Sequence, residues 1–294
     1  MKIAVLVLCH KNPEQIEMLI NALDSCEMDF YIHVDRKSEM RLNFNKENVV
    51  VLPENQRISV SWGGYSMIEA TLSLLYVVRK SGKVYDYVWL ISGQDFPIRS
   101  INDILYFFVA NKGKDFIEII DDNEAYVRNY LKRNELKYPN WMLSDRLFIK
   151  LLKRAYWILT GGKKTIFFKR NMPGCIRKFY FGSQWWALTS QSLNRIMEFL
   201  DNHAEILTFF STTLVPDECF FQTLYMETSS KNTRDSSVCF VNWGKSKRNP
   251  ECFTKEDFEK LLNLSKKYLI ARKFDVNVDE AIIHRLNEAN RSWG

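Results

Sequence analysis

The chain has 294 residues, of which 46% are hydrophobic and 26% are charged, and its net charge is +6. These values exclude a disordered chain and indicate a globular protein with a large core, in one domain or two closely packed halves. The modest positive charge is compatible with binding a diphosphate or an anionic membrane, and by itself does not indicate nucleic acid.

The first 35 residues have the pattern of a strand, a helix and a second strand. A run of β-branched and leucine residues at 3–8 predicts a buried parallel strand, and Pro13 begins a helix with apolar residues at helical spacing. The second strand is predicted over 30–34. His10 and Asp35 follow these strands at their carboxyl ends, where open α/β sheets bind ligands. The sequence has no G-x-G-x-x-G, so a dinucleotide cofactor is not expected.

A further acid follows a third predicted strand. The strand at 87–92 runs into the sequence GQDFP, which contains Asp95. An acid between a strand and a proline turn either binds a ligand such as a donor sugar or caps the turn. Other elements predicted in this part of the chain are strands at 49–52 and 115–120 and helices at 66–78 and 101–110.

The most distinctive stretches are GSQWWALT (182–189) and PDE (216–218). A sugar-binding enzyme needs aromatic faces for pyranose rings and a placed carboxylate that accepts a proton, and these stretches supply both. A helix predicted over 192–200 joins them, so the tryptophans and the acids are expected at opposite ends of one rigid rod. The alternatives are core packing for Trp185 and Trp186 and a simple helix start for the acids.

These stretches resemble the core-2/I-branching glycosyltransferase family, which also contains the peptide O-xylosyltransferases. Five further blocks resemble the family, in the family's order: MKIAVLVLCHKN (1–12), YIHVDRK (31–37), SVSWGG (59–64), LISGQDFPI (90–98) and ARKFD (271–275). The resemblance covers most of the chain but not about 119–178. It implies a single α/β domain of the GT-A type with a mixed, mostly parallel sheet and helices on both faces. A nucleotide-sugar half is expected at about 1–120 and an acceptor and catalytic half at about 121–294.

The resemblance assigns residues to the donor side of the site. It places His10 and Asp35 near the uridine of a sugar nucleotide, and Asp95 near the ribose or the sugar hydroxyls. Many transferases of this type hold a divalent ion with an Asp-x-Asp motif, and this sequence contains no such tripeptide. No metal or other cofactor is therefore expected.

In the core-2/I-branching family, which this sequence resembles, two basic side chains take the place of the metal. They offset the negative charge that develops on the leaving UDP. The family's Lys carries over to Lys273 of the ARKFD block. Its Arg has no clean match. Arg234 is close but offset, and Arg272 and Lys245 are the alternatives.

On the acceptor side, the resemblance assigns Glu218 as the general base that takes a proton from an acceptor hydroxyl. Asp217 is expected to cap a helix or to orient its neighbour. Trp185 and Trp186 are expected to shape the acceptor site. Glu118 aligns roughly with an acceptor-contacting Glu of the family, and a solvent-facing strand residue is the alternative.

The stretch 146–178 contains ten Lys or Arg residues and no acid, interleaved with aromatic and aliphatic side chains. Such a segment indicates a peripheral contact with an anionic membrane, which would suit a lipid-linked glycan acceptor. A solvated lid and an RNA-like patch are the alternatives.

The cysteine pattern and the start of the sequence bear on location. Six cysteines without a C-x-x-C pair favour free thiols in a reducing compartment. Met1 leads directly into the first predicted strand, without an apolar run of membrane-spanning length. A bacterial enzyme on the cytoplasmic side is expected, with peripheral attachment to the inner face of the cytoplasmic membrane as a further hypothesis.

The resulting prediction is an inverting, metal-independent glycosyltransferase that moves a sugar from a UDP-sugar to a hydroxyl of a glycan and forms a β linkage. GlcNAc is the first candidate sugar and xylose the second. One alternative is a UDP- or carbohydrate-binding protein without turnover. The other is a membrane- or nucleic-acid-binding module built on 146–178. It would leave the HVD, GQDFP and PDE blocks without a purpose, so no nucleic-acid partner is expected.

Overall fold

The computed structural model describes residues 1–138, 151–152, 154–155, 169–229, 234–244 and 249–292. Within these ranges the strands form two sheets. The strands are β1 (Ile3–Cys9), β2 (Met28–Val34), β3 (Val49–Val51), β4 (Tyr87–Ser92), β5 (Asp95–Pro97), β6 (Asp115–Phe116), β7 (Ala187–Thr189), β8 (Arg234–Asp235), β9 (Cys239–Val241) and β10 (Ile270–Arg272).

The described residues also form helices, which alternate with the strands in the first part of the chain. They are α1 (Pro13–Leu23), α2 (Ser66–Lys80), α3 (Ile101–Ala110), α4 (Ala125–Leu131), α5 (Ser190–Asn202), α6 (Glu205–Phe210), α7 (Phe220–Thr228), α8 (Phe258–Leu264) and α9 (Val276–Ser292). The last is interrupted at Asp279, whose backbone is extended. Single 3₁₀ turns lie at Glu54–Gln56, Lys132–Glu135, Pro216–Glu218 and Lys255–Asp257.

The larger sheet has seven strands in the order β3-β2-β1-β4-β7-β6-β8. Its first four strands are parallel, whereas β7 runs antiparallel to both β4 and β6. Every residue of β1, β2 and β4 is buried. Because successive side chains of a strand point to opposite faces, both faces of the sheet centre are covered. The predicted α/β fold with a mixed, mostly parallel sheet is confirmed.

The register of the central strands determines where the polar residues lie. Leu8 of β1 is beside His33 of β2 and Ser92 of β4. The three parallel strands therefore end at one edge of the sheet. The residues that follow them, His10 and Asp35 among them, lie along this edge.

The smaller sheet brings the end of the chain back to this edge. Its order is β5-β10-β9, with β10 antiparallel to β5 and parallel to β9. In this register Arg272 is opposite Asp95. Residues 270–275 therefore lie beside the loop that follows β4, although Asp95 and Arg272 are 177 residues apart in sequence.

Helix α5 illustrates how local sequence sets the structure between the two distinctive stretches. Its apolar positions are buried on one face: Leu193, Ile196, Met197 and Leu200. The side chain of Thr189 caps its start by accepting a hydrogen bond from the amide of Ser192 (3.2 Å). The buried Asp115 in turn accepts bonds from the amide and the hydroxyl of Thr189, at 2.7 and 2.9 Å. The predicted helix is therefore confirmed.

The strand predicted over 115–120 is wrong beyond Phe116. After β6 the amide of Ile117 still donates to the carbonyl oxygen of Asp235 in β8 (3.2 Å), and Ile120 forms an isolated bridge with Phe181, but no regular strand continues between them. Glu118 lies in this irregular stretch and is half-buried. It is neither a strand residue nor fully solvent-facing.

Most of the basic stretch 146–178 lies outside the described residues, so the membrane prediction there remains a prediction. Three of its described members have partners within the protein. Arg170 donates to the carbonyl oxygen of Asn134 (3.0 Å), Arg177 pairs with Glu227, and Lys178 pairs with Asp122. No helix of the described ranges has the length and the apolarity needed to cross a bilayer.

Candidate active site

A group of four residues, which we call the strand-end cluster, is formed by His10, Asp35, Arg272 and Lys273. His10 follows β1 and is exposed. Asp35 follows β2 and is buried, and its Oδ1 accepts hydrogen bonds from the amides of Lys37 (2.9 Å) and, more weakly, Val60 (3.3 Å). These bonds hold the carboxylate in one orientation at the carboxyl edge of the sheet.

Asp275 attaches the end of the chain to the loop after β1. Its carboxylate accepts hydrogen bonds from the side chain of Asn12 (2.7 Å) and forms an ion pair with Lys11. The buried Gln15 adds a second attachment, since its amide donates to the carbonyl oxygens of Gly93 (2.9 Å) and Phe274 (3.2 Å). The backbone that carries Lys273 is thereby fixed beside His10.

Arg272 joins two parts of the site. Its Nη1 donates to Oδ1 of Asp95 at 3.1 Å, and its guanidinium lies 4.5 Å from the centre of the Trp185 ring. Asp95 is fully buried, and burial raises the pKa of its carboxyl to about 6 in spite of this cation. In this structure the charged partner of Asp95 is Arg272, which its carboxylate holds in place. The contact of Asp95 with the nucleotide stays a prediction.

The electrostatic environment of the strand-end cluster is positive. Partial desolvation lowers the pKa of His10 although the side chain keeps exposed surface, and Lys11 lowers this pKa further. Asp35 opposes the decrease, and Lys273 and Arg272 each add a smaller one. Lys273 is half-buried, and its ammonium has no hydrogen-bond or ion-pair partner among the described residues. A positive, partly desolvated edge of this kind suits an anionic group such as a diphosphate.

Arg234 does not belong to this cluster. It lies in β8, at the far edge of the larger sheet, and three strands (β4, β7 and β6) lie between β8 and β1 in the sheet order. Its guanidinium donates to the sulfur of Met226 at 3.1 Å. Arg234 therefore lies apart from the strand-end cluster and its nucleotide contact stays a prediction, whereas Arg272, considered as a substitute, is the arginine within the cluster. Lys245 lies outside the described residues.

A second group, the carboxylate cluster, consists of Glu118, Asp217 and Glu218. The amide of Gly182 donates to the carbonyl oxygen of Glu218 at 3.0 Å, and the amide of Ser183 donates to Oε2 of Glu118 at 3.1 Å. The GSQWW and PDE stretches therefore lie side by side. The expectation that they occupy opposite ends of a rod is wrong, because the chain folds back after α5 so that α7 packs against it.

Burial determines the protonation of the carboxylate cluster. It raises the pKa of Glu218 to about 7, with a further increase from Asp217 and smaller opposing effects of Tyr130 and Arg133. It raises the pKa of Asp217 to about 6, and Oδ1 of Asp217 is buried without a hydrogen-bond partner among the described residues. Burial also raises the pKa of Glu118. At neutral pH Glu218 is therefore able both to take up and to release a proton.

The two predicted tryptophans differ in position. Trp185 is 8% exposed and lies under Arg272, between the two clusters. Trp186 is 1% exposed and packs against Phe221, with ring centres 5.0 Å apart. This burial places the Trp186 indole in the core, which is the alternative considered for it, and its acceptor contact stays a prediction.

Two further residues of the site, Tyr130 and Gln222, were not predicted from the sequence. The hydroxyl of Tyr130 donates to the carbonyl oxygen of Val215 and lies close enough to the carboxyl of Glu218 to lower its pKa. Gln222 donates to the carbonyl oxygen of Ser183 at 2.5 Å. Tyr130 lies where the family resemblance fades, and nothing in its local sequence indicates a role. Gln222 lies four residues after Glu218, and this closeness to the PDE turn is a sequence signal that could have indicated it as a site residue.

The fold and these two clusters define an α/β enzyme whose ligand site lies at the carboxyl edge of a mixed sheet. Comparison with known proteins identifies the family. The chain belongs to the Core-2/I-Branching enzyme family, whose model matches residues 3–262. This confirms the glycosyltransferase family predicted from the sequence.

Curated relatives are distant and longer. The chain is 26% identical over 301 residues to Xylosyltransferase oxt of Drosophila pseudoobscura pseudoobscura, covering 93% of this chain and 31% of that protein. It is 25% identical over 311 residues to Xylosyltransferase 2 of Homo sapiens, covering 97% of this chain and 33% of that protein. The chain thus spans about a third of the length of these relatives.

Similar solved structures include an active-site mutant of LgtC, with a TM-score of 0.40 and 10% identity over 99% of this chain and 95% of that one. The apo structure of the bifunctional glycosyltransferase WbbM has a TM-score of 0.39 and 11% identity over 92% of this chain and 45% of that one. Likeness at these scores supports no conclusion about the site.

Proposed function

We propose that this protein is an inverting glycosyltransferase that moves a sugar from a UDP-sugar to a hydroxyl of a glycan acceptor without a metal ion. The observation that carries the proposal is Glu218, a half-buried carboxyl with a pKa raised to about 7 in the PDE turn. A general base works best when its pKa lies near the working pH. Family membership supplies the reaction class in which this base acts.

In the proposed reaction, Glu218 takes the proton from the acceptor hydroxyl as that oxygen attacks the anomeric carbon. The bond from the anomeric carbon to the UDP oxygen breaks in the same step, and UDP leaves with the electron pair. Attack from the side opposite UDP converts an α-linked donor into a β-linked product. A base placed in this way contributes about 10²–10⁴-fold to the rate.

The strand-end cluster supplies the charge for the leaving group. Lys273 has no partner among the described residues, so its ammonium is available to a diphosphate oxygen. Arg272 is held by Asp95 and Trp185 and contributes a fixed positive charge. Cations fixed before reaction stabilise a developing phosphate charge as a metal ion does. His10 and Asp35 are proposed to contact the uridine, because they lie at the same edge.

The donor sugar remains a choice between two candidates. GlcNAc is the donor predicted from the sequence, and xylose is favoured by the names of the relatives, which are xylosyltransferases. The two differ by the exocyclic carbon and the 2-acetamido group, so parallel assays with UDP-xylose and UDP-GlcNAc distinguish them. A glycan or lipid-linked glycan is the proposed acceptor. Attachment to the inner face of a cytoplasmic membrane belongs to the same proposal.

The test is the substitution Glu218→Gln, with Glu198→Gln on the exposed face of α5 as the matched control. Transfer from each UDP-sugar is followed by release of UDP, and UDP affinity is measured by calorimetry. We expect Glu218→Gln to lower transfer by about 10²-fold or more while UDP affinity stays within about twofold. Unchanged transfer would remove Glu218 from the mechanism. UDP binding without turnover in the unsubstituted protein would favour the non-catalytic alternative.

A further inference from the structure

Three side chains of types that commonly bind metal ions lie together at the surface of the part of the chain that the structure describes. The proposed reaction gives this region no role. They are Cys175, His203 and Glu205, and their ligand atoms all lie within 4.8 Å of one another. We propose that these three residues bind Zn²⁺. The inference does not depend on the proposed function, since the reaction proposed above uses neither these residues nor a metal.

The donor set fits Zn²⁺ in type and charge. A cysteine sulfur, a histidine nitrogen and a glutamate oxygen are all zinc ligands, with bond lengths of about 2.0–2.3 Å. A thiolate with an imidazole selects Zn²⁺ over Mg²⁺ or Ca²⁺, which prefer oxygen ligands. One thiolate and one carboxylate together neutralise the charge of the ion. Ligands of a tetrahedral ion lie about 3.3–3.8 Å apart, so side-chain rotation closes the remaining distance.

His203 and Glu205 are held by the short connection between α5 and α6. The amide of His203 donates to the carbonyl oxygen of Leu200 (3.2 Å), and the amide of Ile206 donates to that of His203 (3.0 Å). The imidazole packs against the ring of Phe199 at a centre distance of 4.5 Å, and its Nδ1 is 3.3 Å from Glu205 Oε1. The ring is thus positioned before any ion binds, as supporting contacts position ligands in metal sites.

Cys175 lies in a loop that is tied to the rest of the protein. The amide of Ile176 donates to the carbonyl oxygen of Pro173 (3.0 Å), which closes a turn around the cysteine. The next residue, Arg177, donates from its amide (2.9 Å) and from Nε (2.7 Å) to the carboxylate of Glu227. Cys175 is half-buried and Glu205 is exposed, so water has access to a fourth position on the ion.

Zinc at this site would join the α5–α6 connection to the loop that leads into Gly182 and Ser183. We therefore expect the ion to stabilise the folded protein, since binding to the folded state alone raises the unfolding temperature. The carboxylate cluster keeps its own contacts, so transfer is expected to proceed in EDTA. The open fourth position does not make the ion part of the proposed reaction, because none of its three ligands belongs to the strand-end cluster or the carboxylate cluster.

Untagged protein, stripped with EDTA and desalted, is titrated with Co²⁺ as a spectroscopic probe and then with Zn²⁺. A thiolate-to-cobalt band that saturates at one equivalent and disappears on adding Zn²⁺ is expected, together with a Zn²⁺-dependent rise in Tm. Cys175→Ser should abolish the band, and His203→Gln should weaken Co²⁺ binding at least tenfold. The controls Cys26→Ser and His284→Gln change an exposed cysteine and an exposed histidine outside the cluster and should leave it unchanged.

A second measurement covers the case in which a variant fails to fold. In the unsubstituted protein, Zn²⁺ should slow alkylation of Cys175 and not that of Cys26, as located by mass spectrometry. Absence of the cobalt band, a band that survives Cys175→Ser, or equal alkylation of Cys175 with and without Zn²⁺ would each overturn the proposal.

Discussion

The amide of Gly182 donates a hydrogen bond to the carbonyl oxygen of Glu218 at 3.0 Å, and this single contact joins the two most distinctive stretches of the sequence. The approach is close on both sides. A Cβ atom at Gly182 would lie 1.8 Å from the carbonyl oxygen of Glu118. Glycine at this position is what allows the backbones beside Glu118 and Glu218 to meet.

Substitution of Gly182 tests this contact. Gly182→Ala should lower the free energy of unfolding by about 1–3 kcal/mol, because backbone must move to admit the methyl group. Transfer should fall as well, since Glu118 and Glu218 separate. Gly174→Ala is the matched control, because a Cβ there meets nothing within 4 Å. Chemical denaturation of both variants gives the comparison, and equal small losses would contradict the close approach.

The buried pair of Asp95 and Arg272 is expected to position a cation for UDP. Arg272→Gln leaves a buried carboxylate without its cation, so it should destabilise the protein by on the order of 3 kcal/mol. Asp95→Asn should lower UDP affinity several-fold, although Asp95 has no exposed surface, because Arg272 loses its anchor.

A double-mutant cycle measures that coupling. The two substitutions together should cost clearly less than the sum of the separate costs, as expected for residues in contact. The exposed pair of Arg79 and Asp201, with atoms 2.8 Å apart, is the control, and Asp201→Asn there should change stability by less than about 1 kcal/mol. Additive effects at Asp95 and Arg272 would show that the pair does not act as a unit.

The pKa of Glu218 predicts a dependence of stability on pH. The carboxyl has an ordinary value of 4.5 when unfolded and about 7 when folded. Between these values the folded state binds more protons than the unfolded state. The contribution of Glu218 to the free energy of unfolding is therefore fully present at low pH and is lost as the pH rises through about 7.

Glu218→Gln removes this dependence. We expect the variant to be more stable than the unsubstituted protein at pH 8, by about 1–3 kcal/mol, and nearly equal to it at a pH below 4.5. Tm measured across this range is the readout, with Glu198→Gln as the control. A variant that is less stable at pH 8 would mean that the carboxylate is well paired in the folded state.

The elements that sequence alone predicts are those whose signal is local. The buried runs of β1 and β4 and the apolar face of α5 appear with bounds close to those expected, because burial on one or both faces imposes a regular pattern on neighbouring residues. The prediction of a strand over 115–120 was wrong beyond Phe116. There the backbone of Glu118 packs against Gly182, a contact with a distant part of the chain that the local sequence does not reveal.

The site shows the same division. The positions of His10 and Asp35 at one edge of the sheet were predictable because both follow parallel strands. Their contact with a uridine stays a prediction. Arg234 was selected on proximity in sequence to a family position, whereas Arg272 reaches the site through a contact with Asp95, 177 residues away. The separate positions of Trp185, beside Arg272, and Trp186, beside Phe221, depend on contacts with distant parts of the chain, and two adjacent tryptophans give no local signal of that.

The most direct test of the metal-free account is calorimetric titration of UDP into the protein in EDTA, repeated with Lys273→Ala. Lys267→Ala, which removes a lysine next to Tyr268, is the control. The account predicts UDP binding in EDTA, a loss of affinity of about tenfold or more for Lys273→Ala through the missing diphosphate contact, and no change for the control. Binding that appears only after Mg²⁺ or Mn²⁺ is added, or that is indifferent to Lys273, would contradict it.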